Sequence, residues 1–71
     1  MIFDNIRALC MERGVSVRRV ERETGIANGV IRKWNHQSPR VDKLLLVADY
    51  FGVTLDELVR GTGNRKGDEI T

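Results

Sequence analysis

Residues 16–35 read Ser-Val-Arg-Arg-Val-Glu-Arg-Glu-Thr-Gly-Ile-Ala-Asn-Gly-Val-Ile-Arg-Lys-Trp-Asn, and the pattern of this stretch decides the fold. Val17, Val20 and Thr24 fall at i, i+3 and i+7 on one helical face, and Ile31 and Trp34 repeat such a stripe further on. Gly25 stands between the two, where positive φ ends the first helix at no steric cost. Ile26 buries the corner, and the second helix leaves at a steep angle. Asn28-Gly29 is also a strong hairpin dipeptide, but its flanks lack alternating apolar residues. A helix start is the better reading there, giving a helix over about residues 27–35.

Outward from this segment the chain reads as five helices and no strand, punctuated by Gly14, Gly25, Gly52 and Gly61. The first helix covers about residues 2–13, with Ile2, Phe3, Ile6, Leu9 and Cys10 on one face, so Cys10 is most simply a small buried hydrophobe. Ser16 is a good N-cap for the second helix, although Arg19 stands where a capping box wants Glu. The fourth takes Ser38 as N-cap and Pro39 as first residue, followed by a stripe of Val41, Leu44, Leu45, Ala48 and Phe51. The fifth opens with Thr54-Leu55-Asp56-Glu57, a full capping box. Residues 1–61 thus make one domain, and the Gly-rich, charged residues 62–71 a flexible tail.

A chain of 71 residues supports one small core and no second, effector-binding domain. No basic stretch followed by a long apolar run opens it, and its longest apolar run, residues 44–48, is far too short to span a bilayer. With Cys10 its only cysteine, a soluble, cytoplasmic protein is expected. One Cys and one His cannot supply four zinc ligands, so neither metal nor cofactor is expected. Asp42, Asp49, Asp56 and Glu57 are paired with no nucleophile or His, which argues against an enzyme. The net charge is only +2, yet residues 13–40 hold seven basic side chains against two acidic ones. That concentrates positive potential on the helix-turn-helix segment, as binding to phosphates requires.

These residues resemble a known family, the small phage-repressor and Cro-like (XRE-type) helix-turn-helix regulators of bacteria and their mobile elements. The resemblance runs from Phe3 to Gly61. It rests on Gly-Val-Ser at 14–16, Thr-Gly-Ile at 24–26, Asn-Gly-Val-Ile-Arg-Lys-Trp at 28–34, Ser-Pro-Arg-Val-Asp-Lys-Leu at 38–44 and Val-Ala-Asp-Tyr-Phe-Gly-Val-Thr-Leu-Asp-Glu-Leu at 47–58. It implies an all-α, compact five-helix, lambda-repressor-like domain whose third helix enters the major groove of double-stranded DNA while the second lies across the backbone. Asn28, Gly29, Arg32 and Lys33 would then face base edges, with His36 at the far end. Ser16, Arg18 and Arg19 would receive one phosphate, and Arg40 and Lys43 a second.

Three positions depart from the family pattern. Val17 stands where many members have Gln, Ala27 where the third helix usually has a Ser N-cap, and Glu21 where a small residue is common. Either Asn28 caps the third helix in place of Ala27 or it reads a base. Glu21 either pairs with Arg18 or Arg22 or spaces the two helices more widely. Trp34 is expected in the core, and Leu46 and Tyr50 on the solvent side of the fourth helix. Together with Leu55, Leu58 and Val59 they make a candidate homodimer surface. The leading expectation is a transcriptional regulator, a repressor first of all, that binds a palindromic operator as a dimer. The alternative is an antitoxin-like or adaptor module whose main ligand is another protein.

Overall fold

A hub helix organises the molecule. The computed structural model describes residues 1–61, and the tail expected at 62–71 lies outside the described residues. Four α-helices occur among the described residues: α1 (Ile2–Arg13), α2 (Val17–Thr24), α3 (Val41–Phe51) and α4 (Leu55–Arg60). A five-residue 3₁₀ segment, η1 (Ile31–Asn35), stands where the third of five α-helices is expected, and no strand occurs among the described residues. α1 packs on α2, η1 and α4, and α3 closes the far side against α2 and α4.

The apolar face of α1 dictates this arrangement. Ile6, Leu9 and Cys10 are buried and meet Val20 of α2, Val47 and Phe51 of α3, and Leu58 of α4 in one core. Each fully buried Ile, Leu or Phe contributes roughly 1.5–3 kcal/mol by leaving water. Cys10 is among them, and burial pushes its thiol pKa up, as befits an inert core residue. Polar side chains fix the edges. Asn5 donates from Nδ2 to the Leu58 and Val59 carbonyls at 2.8 and 3.1 Å, which ties α1 to the C-terminal end of α4. Arg13 donates to the Phe51 carbonyl at 2.7 Å and lies over the Phe51 ring, which ties α1 to α3. α1 and α3 end alike, each in a doubly bonded turn with Val15 N–H donating to the Cys10 carbonyl and Val53 N–H to the Ala48 carbonyl.

α3 differs from its expected form in start and in face. Arg40, in extended backbone, precedes its first turn, and the Lys43 and Leu44 amides both donate to the Arg40 carbonyl. Ser38 and Pro39 therefore belong to an extended link that carries the chain from η1 to α3. The buried face is Leu44, Val47, Ala48 and Phe51, whereas Val41 and Leu45 are 62% and 45% exposed. Val47 faces the centre of the core, and this rotation turns the Val41–Leu45 edge outward.

Candidate nucleic-acid interface

The surface of interest is built on α2. Ser16 caps it as expected, its hydroxyl oxygen accepting the Arg19 amide at 3.0 Å. Gly25 ends it at φ 84, in the left-handed region that a side chain disfavours. Ile26 then inserts into the core with 4% exposure and fixes the corner.

Beyond Ile26 the chain does not enter an α-helix. Residues 28–30 form a turn with Gly29 at φ 87, and regular structure begins only at Ile31, as 3₁₀. The helix expected over residues 27–35 is thus shorter, later and of another type. A left-handed Gly29 cannot lie on a right-handed helical path, so Gly29 belongs to the turn and not to a helix face. The segment is held by short-range bonds: Val30 N–H donates to the Ala27 carbonyl, Lys33 N–H to Val30 and His36 N–H to Lys33, at 3.0–3.2 Å.

The start of η1 lacks a cap of its own. Val30 occupies the N-cap position and no neighbouring side chain bonds there. Asn28 is exposed and caps nothing, which leaves its side chain facing solvent. The acceptor comes instead from α2. Glu21, 3% exposed, takes the Gly29 amide on one carboxylate oxygen at 3.1 Å and the Ile31 amide on the other at 3.0 Å. These bonds replace the salt bridge to Arg18 or Arg22 that the sequence suggests for Glu21. An anion at an uncapped helical start offsets the partial positive charge of its amides.

η1 is anchored at its other end too. With three residues per turn, Ile31 and Trp34 lie on one edge, and both are buried at 0% and 5% exposure. Trp34 is a core residue, as its spacing indicates. Asn35 accepts the Phe3 amide at 3.0 Å and donates to Asp4 at 3.1 Å, which clips η1 to the first turn of α1. Arg32 and Lys33 are left exposed on the outer edge.

The expected contact residues fall into three groups. Asn28 shares a shallow cavity of about 240 Å³ with Arg18, Arg22, Ile26 and Glu21, so one base-reading candidate and two arginines lie together between α2 and the turn. Arg19 is engaged already: its guanidinium pairs with Glu23 at 3.2 Å, and Glu23 accepts the Tyr50 hydroxyl at 2.6 Å. The Tyr50 bond and then Arg19 hold the Glu23 carboxyl below its ordinary pKa, and the same bond raises that of Tyr50. Arg40 pairs with Asp42 at 3.4 Å on the open surface, and Lys43 is half-buried. His36 lines a different depression, with Met1, Trp34 and Val59, away from the Arg18–Asn28 cavity.

The candidate partner surface is smaller than expected. Leu46 and Val59 are 45% and 47% exposed, but Leu58 is fully buried in the core and has no surface to offer. Leu55 is half-buried against that core, and Tyr50 is half-buried with its hydroxyl engaged by Glu23 rather than free toward solvent.

Sequence reasoning missed two things, the bonds of Glu21 and the place of Arg22 beside Asn28. Two of the departures already noted hold the clue to the first. A Ser is absent at Ala27 and a carboxylate is present at Glu21, and the second compensates the first across the turn. Helical periodicity does not connect residues eight and ten positions apart through a turn.

An all-helical domain with a glycine-ended helix, a tight corner and a short basic segment held outward by a buried Ile and Trp has the form of a helix-turn-helix DNA-binding domain. Residues 5–61 match the Cro/C1-type HTH DNA-binding domain, and the chain belongs to that family of DNA-binding regulators. No curated protein and no solved structure matches it. Among the described residues no helix is long and apolar enough to cross a membrane.

Proposed function

We propose that this chain is a cytoplasmic, sequence-specific transcriptional repressor of phage or mobile-element type. Residues 1–61 are its DNA-binding domain, and α2 with the turn and η1 form its helix-turn-helix. The observation that carries the reading is that Asn28, Arg32 and Lys33 are all exposed and that Asn28 shares one cavity with Arg18 and Arg22. Asn pairs bidentately with adenine and Arg or Lys with guanine in the major groove, and flanking guanidinium groups neutralise phosphates. Gly29 presents its backbone rather than a side chain here, and Ser16, Arg19, Arg40 and Lys43 are the further phosphate contacts, while His36 lines a separate depression. Two chains bind a palindromic operator with half-sites about one helical turn apart, joined through Leu46 and Val59.

Selection from a random duplex pool at near-physiological salt tests this, since non-specific attraction is suppressed there. An enriched inverted repeat is the expected result. Absence of any motif, with affinity that vanishes as salt is added, would overturn it and turn attention to a protein ligand at the exposed apolar Val41, Leu45, Leu46 and Val59.

A further inference from the structure

We propose that Glu21 is the positioning residue of the DNA-reading turn: its two carboxylate oxygens set the path of residues 28–31, so sequence discrimination depends on a buried side chain that itself reads no base. This rests on the DNA-binding reading above and adds to it the residue that makes the reading edge rigid.

The turn has few other restraints. η1 is five residues long and too short to sustain itself as an isolated helix. Its C-terminal half is held by Trp34 in the core and by Asn35 on α1. Ile31 holds the middle. Between Ile26 and Ile31 half-buried Val30 rests on the core and carries two backbone bonds, its N–H to the Ala27 carbonyl and its carbonyl from the Lys33 N–H, while the amides of Gly29 and Ile31 are held by Glu21. Asn28, the exposed base-reading candidate, lies in that interval, next to Gly29, whose amide is one of the two that Glu21 holds. Removing the carboxylate frees the backbone that aims Asn28 and leaves the Ile31 amide buried without an acceptor.

Glu21 also places a negative charge beneath a surface that Arg18 and Arg22 make positive. Charge alone predicts that its loss strengthens binding to every duplex. Positioning predicts the opposite for the preferred duplex only, and the two effects separate cleanly. Gln is the informative replacement. It has the size of Glu but one acceptor oxygen, so its NH₂ group faces one of the two amides donor to donor.

The full-length Glu21→Gln chain is compared with the wild type on the duplex that the wild type selects and on an unrelated duplex of equal length, at one salt concentration. The expected result is a ratio of the two affinities lower by about tenfold, the loss typical of one misread base pair, with binding to the unrelated duplex unchanged or tighter. The Gly29 and Ile31 amide resonances move and their hydrogen exchange quickens, while those of Val47 and Phe51 stay put. Affinities for both duplexes that rise together at constant ratio would overturn the proposal and make Glu21 a repulsive charge only. If Glu21→Gln does not fold, the wild type decides: ¹⁵N–¹³C couplings across the hydrogen bonds from the Gly29 and Ile31 amides to the Glu21 carboxylate carbon are expected, and their absence overturns the clamp. A wild-type chain that selects no duplex overturns the DNA-binding reading and the functional half of this proposal, whereas the couplings still report on the clamp.

Discussion

Two helical segments of this small domain start on the carboxylate of a glutamate, and they do so by opposite means. At α4 the Thr54 hydroxyl oxygen accepts the Glu57 amide at 3.1 Å while the Glu57 carboxylate accepts the Thr54 amide at 2.9 Å, a cap closed within four consecutive residues. At η1 the acceptor is Glu21, ten residues upstream on another helix. The first cap stabilises a helix that packs into the scaffold through Leu58. The second stabilises a turn whose outer side carries Asn28. A local cap stops its own helix from fraying, whereas a cap supplied from elsewhere also fixes where the segment sits relative to its donor. On the proposed DNA-reading surface, that second property is the useful one.

The largest expected difference between the two is thermodynamic. Glu21→Ala strands a buried amide and a half-buried one and costs about 2–4 kcal/mol, from roughly 1–3 kcal/mol for the buried donor and about 1 kcal/mol for the half-buried one, which water can still reach. Glu57→Ala leaves its amide partner exposed to water and costs about 1 kcal/mol or less. Urea unfolding of both variants measures the gap; equal costs would erase the distinction between the caps.

A smaller effect is expected at Gly29. A Cβ added there meets nothing within 4 Å, so Gly29→Ala suffers only the left-handed backbone at φ 87, about 1–2 kcal/mol. The same denaturation series reads it, and a neutral Gly29→Ala would mean that the turn relaxes into helix, contrary to a rigid clamp.

The smallest concerns the exposed network beside the site. Tyr50 is the main cause of the lowered Glu23 pKa, so Tyr50→Phe moves that pKa back up toward the ordinary carboxylate range in a carbon-detected NMR titration. A carboxyl whose folded pKa is depressed stabilises above its unfolded pKa and loses that contribution as pH falls through the folded one. In Tyr50→Phe this acid-side dependence shrinks, while the Arg19–Glu23 pair remains. An unchanged Glu23 titration would show that Arg19, not Tyr50, sets it.

What was legible in the sequence follows the same division between local and distant bonds. Ser16, Gly25 and the Thr54–Glu57 box act over one turn of chain, and each does what its position implies. Trp34 and Cys10 were readable from spacing alone because the face they share with their neighbours is buried. The third helix escapes the pattern because Asn28-Gly29, a dipeptide of hairpins and of helix starts alike, is here a turn that precedes a shorter segment. Leu58 was offered to a partner because a six-residue helix gives too little periodicity to tell its inner from its outer face. Val41 and Leu45 looked like core for a related reason, since the rotation of α3 is set by packing of Val47 against other helices. Of the candidate interface, the basic and amide side chains are visible in the sequence, and the carboxylate that holds the Gly29 and Ile31 amides is not.

The most direct test of the whole account is a titration of the ¹⁵N-labelled chain with its selected duplex, followed amide by amide. The account predicts that the largest shifts fall at Asn28, Arg32 and Lys33, with a second group at Arg18 and Arg22. Shifts confined to α3 and α4, with residues 28–33 unmoved at saturation, would contradict it.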